Sequence, residues 1–488
     1  MRARLLLLAA ALVAFGASLG SSFHFDDYAI FSDAALTSPG GWLRVWTLRQ
    51  TRPLTYLTFW LNYQFGERDP LGYHLLNLAL HLAAVLLAYA CLRKILPERA
   101  ALLAAALFAV HPIQAEAVNY VWGRSIVLAT LLCLASLWEW LNGRHWVAVA
   151  WFAAALLAKE EVAAFPLVLA LLPGALRRAR APLASMLLLS LTAGARVLYA
   201  TAVTPGAPAG VQAGITPWHY LLAQALVILR YLRLLVIPYG FTVDPEISVP
   251  AVWWGVAAWL AILGALVMAL RRRTAWAVSL FAGIVLLIPS STIFPAADLS
   301  ADRRMYFPLL AFASAAAILL ERWKRDNPAG GSTSPPPAYV IAPAVVIAFM
   351  LVSVARTQVW MTEESLWQEA VERAPGKIRP RIQLARALPA ARALEVLAQA
   401  RNLAPYDPAV AAETGKTLLA EGQPDAALQE FGRALALDPR DARNLNNRGV
   451  ALEAIGQTEA ARADFERALA IDPSLAEARI NLQKLPAR

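Results

Sequence analysis

The chain has 488 residues, 59% of them hydrophobic and 16% charged, with a formal net charge of +10 and a mean hydropathy of +0.50. So much apolar sequence excludes an ordinary soluble domain, because a run of about 20 apolar residues crosses a bilayer and this chain has many such runs. The positive charge does not point to nucleic acid. It falls in short clusters between apolar stretches (Arg93-Lys94, Arg177-Arg178-Ala179-Arg180, Arg271-Arg272-Arg273, Arg322-Trp323-Lys324-Arg325), as the positive-inside rule expects of cytoplasmic loops.

The first apolar stretch, 5–20, follows Arg2 and Arg4 and reads as a retained helix with its amino end in the cytoplasm. Gly16-Ala17-Ser18 would also suit a signal-peptide cleavage site. Directly outside it comes Phe23-His24-Phe25-Asp26-Asp27-Tyr28. Two adjacent carboxylates at a membrane surface cost desolvation and mutual repulsion. They are either a solvated turn or a general base facing a lipid-borne substrate. Trp42, Trp46, Tyr56, Trp60 and Tyr63 then suit an interfacial amphipathic segment.

Further spans are expected at 72–92, 99–110, 125–141, 145–158, 162–173, 183–201, 252–270, 275–289, 304–321 and 338–356, about eleven in all. Residues 218–237 are also apolar, but counting them as a span would put the later basic clusters outside. They are expected to lie on, or dip into, the outer face, with Arg230 and Arg233 available there. Cys91 and Cys133 both fall within spans, so neither a disulfide framework nor a metal site is implied. The Gly/Ser/Pro-rich segment 326–337 reads as a flexible linker.

Near Gln358 the composition turns to Ala, Glu, Arg, Asp and Gln, dividing the chain into 1–357 and 358–488. Pro405/Pro439/Pro473 recur every 34 residues, as do Gly415/Gly449, Gly422/Gly456, Ala427/Ala461 and Phe431/Phe465. This is the tetratricopeptide period and pattern, which stacks helix pairs into a solenoid with a concave groove for an extended partner. An earlier unit keeps Ala393, Leu397 and Pro405 but has Arg381 and Leu388 at the glycine positions. Gly415-Lys416-Thr417 lacks the upstream glycine of a phosphate loop and lies on a repeat helix.

With this topology the unusual polar groups collect on one face: Asp26, Asp27, Arg52, His111, Glu116, Arg124, Lys159, Glu160, Glu161, Asp302, Arg303 and Arg304. Such a set suits a substrate with an anionic, lipid-borne leaving group. A carboxylate removes a proton from an incoming hydroxyl, and Arg or Lys stabilises the departing phosphate. Taken singly, each has a structural alternative. Glu116 and Arg124 suit a helix-end pair, and Lys159 suits an interfacial anchor. His74, Asn77 and His81 share one helix face, as residues making hydrogen bonds between helices do.

In order and spacing, Phe25-Asp26-Asp27-Tyr28-Ala29-Ile30, Arg52-Pro53-Leu54-Thr55, Leu61-Asn62-Tyr63, Tyr73-His74-Leu75-Leu76-Asn77 with His81, His111-Pro112-Ile113-Gln114-Ala115-Glu116, Gly123-Arg124, Leu157-Ala158-Lys159-Glu160 and Ala301-Asp302-Arg303 with Tyr306 resemble the transmembrane and tetratricopeptide-repeat O-mannosyltransferases. These belong to the GT-C superfamily of polyprenyl-phosphate-sugar-dependent glycosyltransferases. The resemblance covers essentially the whole chain and implies an all-α, polytopic GT-C-type membrane domain followed by the repeat solenoid. It implies inverting transfer of a sugar, a hexose such as mannose, from a polyprenyl-phosphate donor to a hydroxyl of an exported protein held by the repeats, on the non-cytoplasmic face. The Ala/Leu/Arg-rich composition suggests a bacterial inner membrane, and in a eukaryote the same topology would face the endoplasmic reticulum lumen; the repeat array is much shorter than in the animal members, so their protein acceptors do not carry over.

Carried over, Asp26 is the base, with Asp27 and Glu116 as the other catalytic acids. Arg303, Arg304, Lys159, Arg124 and Arg230 are phosphate-binding candidates, and His74, Asn77, His81 and His111 are supporting polar groups. Asp302 stands where the family has Glu, and Gln114 where it often has His. No metal site and no cofactor beyond the lipid-linked sugar is expected, and nothing in the sequence argues for a divalent ion. Two other readings stay open: transfer to a surface glycan or lipid, and a non-catalytic membrane scaffold recruiting partners through the repeats.

Overall fold

Apolar runs become helices throughout, because in lipid a helix satisfies its own backbone hydrogen bonds. The computed structural model describes residues 1–204, 209–210, 214–291, 294–326 and 337–486, and the chain divides into Met1–Thr362 and Glu363–Arg488.

The first unit contains α1 (Arg2–Phe15), α2 (Pro53–Gly66), α3 (Pro70–Ile95), α4 (Glu98–Val110), α5 (Arg124–Leu141), α6 (His145–Ala158), α7 (Arg180–Val203), α8 (Pro217–Val236), α9 (Val252–Arg272), α10 (Ala275–Leu287), α11 (Pro308–Asp326) and α12 (Pro337–Val359), with shorter helices between them. Among the described residues, seven helices are long and apolar enough to cross a membrane. They are α1 with its extension to Gly20, α3, α5 with the turn before it, α7, α8, α9, and α12 from Ile341. The bent pair Glu98–Val110 and Pro112–Asn119 would make an eighth, while α6 and α10 are apolar but shorter. The protein is a multi-pass membrane protein.

Three expectations change, the first being that α11, expected as a span at 304–321, is not among these helices. The stretch 162–173 holds only the six-residue helix Phe165–Ala170, about 9 Å long and far short of a bilayer's roughly 30 Å core. Pro166 sits in its first turn, and left-handed Gly174 (φ 77°) ends the segment. Helix α8, expected on the outer face, meets the test for a span. Its Tyr220, Gln224 and Tyr231 are buried and bond to the carbonyls of Ser290, Leu299 and Ala301. The linker expected at 326–337 lies, apart from its end residues, outside the described residues.

The membrane unit runs past Gln358. Helix α12 continues to Val359, and the next residues bond back to the loop after α1: Ser22 N–H donates to Met361 O (3.0 Å) and His24 Nε2 to Trp360 O (2.8 Å).

The second unit is a row of helices: α13 (Glu363–Arg373), α14 (Arg379–Ala387), α15 (Ala390–Leu403), α16 (Pro408–Ala420), α17 (Pro424–Leu437), α18 (Ala442–Ala454), α19 (Thr458–Ile471) and α20 (Ala476–Lys484). The two recurring glycines of each repeat have different causes. A Cβ on Gly415 would lie 2.8 Å from the Phe431 ring, and one on Gly449 2.5 Å from Phe465. Those glycines let the large aromatic of the second helix seat against the first. Gly422 (φ 71°) and Gly456 (φ 79°) instead turn the chain in the left-handed region. In the divergent unit, buried Arg381 replaces the first glycine and Leu397 replaces the phenylalanine, so the ring that demanded the glycine is absent. The pair still packs through Ile382, Ala385, Ala393 and Leu397.

Candidate functional site

The acidic loop begins where α1 runs out in a short 3-10 turn, and a second such turn, Phe25–Tyr28, carries the two aspartates. They part in role. Asp27 is fully buried and accepts from His24 N–H (3.0 Å) and Trp122 N–H (2.9 Å), pinning the loop to the chain ahead of α5. Burial pushes its carboxyl well above the ordinary range, against these donors and the charge of Arg124. Asp26 is exposed. His24 is held neutral by burial, its pKa lowered to about 4.

Beside this loop stands Tyr120, its ring 4.6 Å from Phe25 and 5.9 Å from Trp360, with the Arg303 guanidinium 5.9 Å from its centroid. Tyr120 feels the charges of Asp26, Asp27 and Arg303 together. It therefore joins the acidic loop to the Asp302–Met305 turn. Glu116, on the short helix Ala115–Asn119, pairs with the Arg303 guanidinium and also accepts the Arg303 backbone N–H (3.1 Å). Both oxygens of this buried carboxylate are spent on one residue 187 positions away. Holding the Arg303 charge there raises its pKa despite burial.

A second charged group lines the turn after α6. Arg52 grips Glu160 with two bonds, 3.0 and 2.6 Å, and Lys159 lies 3.2 Å from Glu161. Burial raises Glu160, but the Arg52 charge and bonds outweigh it and hold its pKa at about 2. Burial lowers Lys159 to about 8, with Glu161 opposing. Lys159 also feels Arg303, which makes the two groups neighbours.

Three expected phosphate ligands are already engaged. Arg124 is 0% exposed: Nε donates to Asn77 Oδ1 (2.7 Å), Nη2 to Tyr73 O (2.9 Å) and Nη1 to Thr58 Oγ1 (3.2 Å), with Phe59 at 4.7 Å. Through these bonds it ties helices together. Arg304 is buried, donating to Asp298 O (2.9 Å) and Leu299 O (3.0 Å). Arg230 pairs with Asp302 at 2.5 Å, fastening the turn to α8. Asp27, expected among the catalytic acids, is a loop anchor.

The supporting polar residues make hydrogen bonds between segments. His81 Nε2 donates to Ala109 O (3.1 Å) and Nδ1 accepts from Tyr306 (2.8 Å). His111 Nε2 donates to Leu235 O (3.2 Å), Asn77 Nδ2 to Tyr120 O (2.9 Å), and His74 Nε2 lies 3.4 Å from Ser22 O. Among the described residues, no group of three or more His, Cys, Asp or Glu is placed to hold a metal. What the sequence missed is Arg196. It sits inside a span, and an ionisable residue at that depth was the available signal.

A tetratricopeptide-repeat model matches residues 413–476. Protein O-mannosyl-transferase F38B6.6 of Caenorhabditis elegans is 25% identical over 427 residues, covering 80% of this chain and 60% of that protein. Protein O-mannosyl-transferase Tmtc1 of Drosophila melanogaster is 51% identical over 83 residues, or 17% of this chain and 10% of that protein; mouse TMTC3 is 46% identical over 85 residues, or 17% and 9%. The chain thus spans three fifths of the first relative and about a tenth of the other two. ArnT from Cupriavidus metallidurans bound to undecaprenyl phosphate aligns over 95% of this chain and 79% of its own, a distant likeness at 13% identity and TM-score 0.41. The relatives found are protein O-mannosyl-transferases, so the chain is similar to the family that its sequence resembles.

Proposed function

We propose that the membrane unit is a glycosyltransferase that moves a sugar from a polyprenyl-phosphate donor to a hydroxyl of an exported protein on the non-cytoplasmic face, the acceptor being gathered by the repeats. The observation that carries this reading is the division between the two aspartates. Asp27 is buried and bonded to two backbone N–H groups, and that leaves Asp26 exposed on a fixed loop beside Tyr120 and the Glu116–Arg303 pair.

In this reading Asp26 takes the hydroxyl proton as the acceptor oxygen attacks the anomeric carbon. The bond from that carbon to the phosphate oxygen breaks, the phosphate leaves with the electron pair, and the configuration inverts. Arg303 is the cation best placed to meet the developing charge, since its side chain keeps 22% exposure where Arg124 keeps none. Glu116 aims it. Lys159 and Arg52 add positive charge nearby, each tempered by its own glutamate. The printed names of the relatives make mannose the first sugar to try.

The test uses membranes containing the full chain and a panel of labelled polyprenyl-phosphate sugars. Label passing to a protein fraction in a donor-dependent way supports the reading. Removal of 363–488 should then abolish transfer to protein while donor binding persists. Label passing only to glycan or lipid replaces the protein acceptor, and transfer from no donor leaves the scaffold reading in its place.

A further inference from the structure

A cavity lies between α6 and α7. Its volume is about 490 Å³, and its walls are mostly apolar, with Leu156 from α6, Leu189 and Val197 from α7, and Leu48 from the loop before α2. Leu191 and Leu198 of α7 are exposed alongside it, as on a helix that faces lipid. Glu160 and Arg196 also line it and supply its charge.

Arg196 differs from its neighbours. Arg52 is paired with Glu160 and Lys159 with Glu161, but among the described residues the guanidinium of Arg196 bonds only to carbonyls: Thr47 O (2.7 Å), Leu48 O (3.3 Å) and Gln50 O. A formal charge inside an apolar span is costly, and three neutral acceptors compensate it only in part. The same three bonds hold segment 47–50 down, and Leu48 and Thr51 of that stretch form one wall of the cavity.

We propose that Arg196 binds the phosphate of a single-phosphate lipid whose chain lies in the α6–α7 groove, and that segment 47–50 is released when the phosphate takes over the guanidinium. The apolar walls suit a hydrocarbon chain, and the cation in the groove suits an anionic head. A phosphate adds to the guanidinium's hydrogen bonds an attraction of opposite charges that a neutral carbonyl lacks, and the planar fork can hold two of its oxygens, which favours the exchange. Segment 47–50 leads directly into Arg52, which is fastened to Glu160, so its release couples lipid entry to the second charged group. This rests on the proposed function in taking the lipid to be the sugar donor's carrier, and it assigns a phosphate ligand that the family motifs do not contain.

The test measures binding of undecaprenyl phosphate, phosphatidylglycerol and inorganic phosphate to the full chain in detergent, together with hydrogen exchange over 45–51. Wild type should bind undecaprenyl phosphate at least about tenfold more tightly than the other two. Exchange over 45–51 should rise on binding. Arg196→Gln should weaken binding about tenfold or more, and Arg196→Lys should recover part of it. Ala193→Trp, which fills the groove and leaves Arg196 in place, should also weaken binding. Equal binding by wild type and Arg196→Gln, or unchanged exchange over 45–51, overturns this inference alone. Equal binding of phosphatidylglycerol makes the groove a general lipid site and also overturns it. If wild type binds no undecaprenyl phosphate, the donor assignment of the proposed function falls with it.

Discussion

The two units solve the placing of charge in opposite ways. In the repeat unit, ion pairs link near neighbours in sequence. Arg386 bonds Glu413 and Arg401 bonds Glu430, 27 and 29 residues apart, while Arg448 and Asp464 are 16 apart. In the membrane unit, Arg230 reaches Asp302 across 72 residues, Arg52 reaches Glu160 across 108 and Glu116 reaches Arg303 across 187. A repeat solenoid adds contacts between adjacent units, so losing one pair costs little elsewhere. These three pairs join distant segments, unlike the local Lys159–Glu161 pair, and each fixes the course of the chain as well as neutralising charge. The same bond should therefore matter more in the first unit than in the second.

The largest effect is expected from splitting Glu116 from Arg303. Glu116→Gln leaves a largely but not fully buried guanidinium without its carboxylate, and thermal unfolding in detergent should show a loss of about 3 kcal/mol. Glu116→Gln with Arg303→Met should recover stability but not sugar transfer. Recovery of both would remove Arg303 from the chemistry.

In the repeats, Gly449→Ala drives a methyl into the Phe465 ring and should cost about 1–3 kcal/mol in the unfolding of that unit. Adding Phe465→Leu, which copies the divergent unit's leucine, should relieve much of this. A double variant no more stable than Gly449→Ala would mean that the aromatic does not set the glycine.

Lys159 gives a pH dependence. Its folded pKa of about 8 lies below the ordinary 10.5, so between these values the unfolded chain holds a proton that the folded chain has lost. The cost of burying the charge is fully present below about pH 8 and is relieved as pH rises to 10.5. Lys159→Met should therefore flatten a stability gain over that window. Sugar transfer, if it uses this charge, should decline as pH rises through about 8, and Lys159→Arg should move the decline higher. The smallest effect is expected at Arg401→Ala, whose half-exposed pair with Glu430 should cost no more than about 1 kcal/mol by chemical denaturation.

The contrast also explains what could be read in advance. Gly415, Gly449, Phe431 and Phe465 declare themselves by a period of 34, because each repeat faces the same local problem. Most helices of the membrane unit follow from apolar length, with the exception of 162–173, where Pro166 and Gly174 outweigh hydropathy. The candidate site was legible only as a list of polar residues expected on one face. Its pairings were not, since nothing in the sequence says that Arg303 takes Glu116, or that Arg124 turns inwards to Asn77, Tyr73 and Thr58. Arg196 was missed because it belongs to no motif and its partners are backbone carbonyls, which carry no residue signature.

The most direct measurement takes Asp26→Asn and Asp27→Asn in parallel through donor-dependent sugar transfer and thermal unfolding. Asp26→Asn should unfold like wild type and transfer about 10²–10⁴-fold more slowly. Asp27→Asn should be destabilised by about 1–3 kcal/mol, because an amide offers one acceptor oxygen to two buried N–H groups. An Asp26→Asn protein that folds normally and still transfers sugar at the wild-type rate would contradict the account.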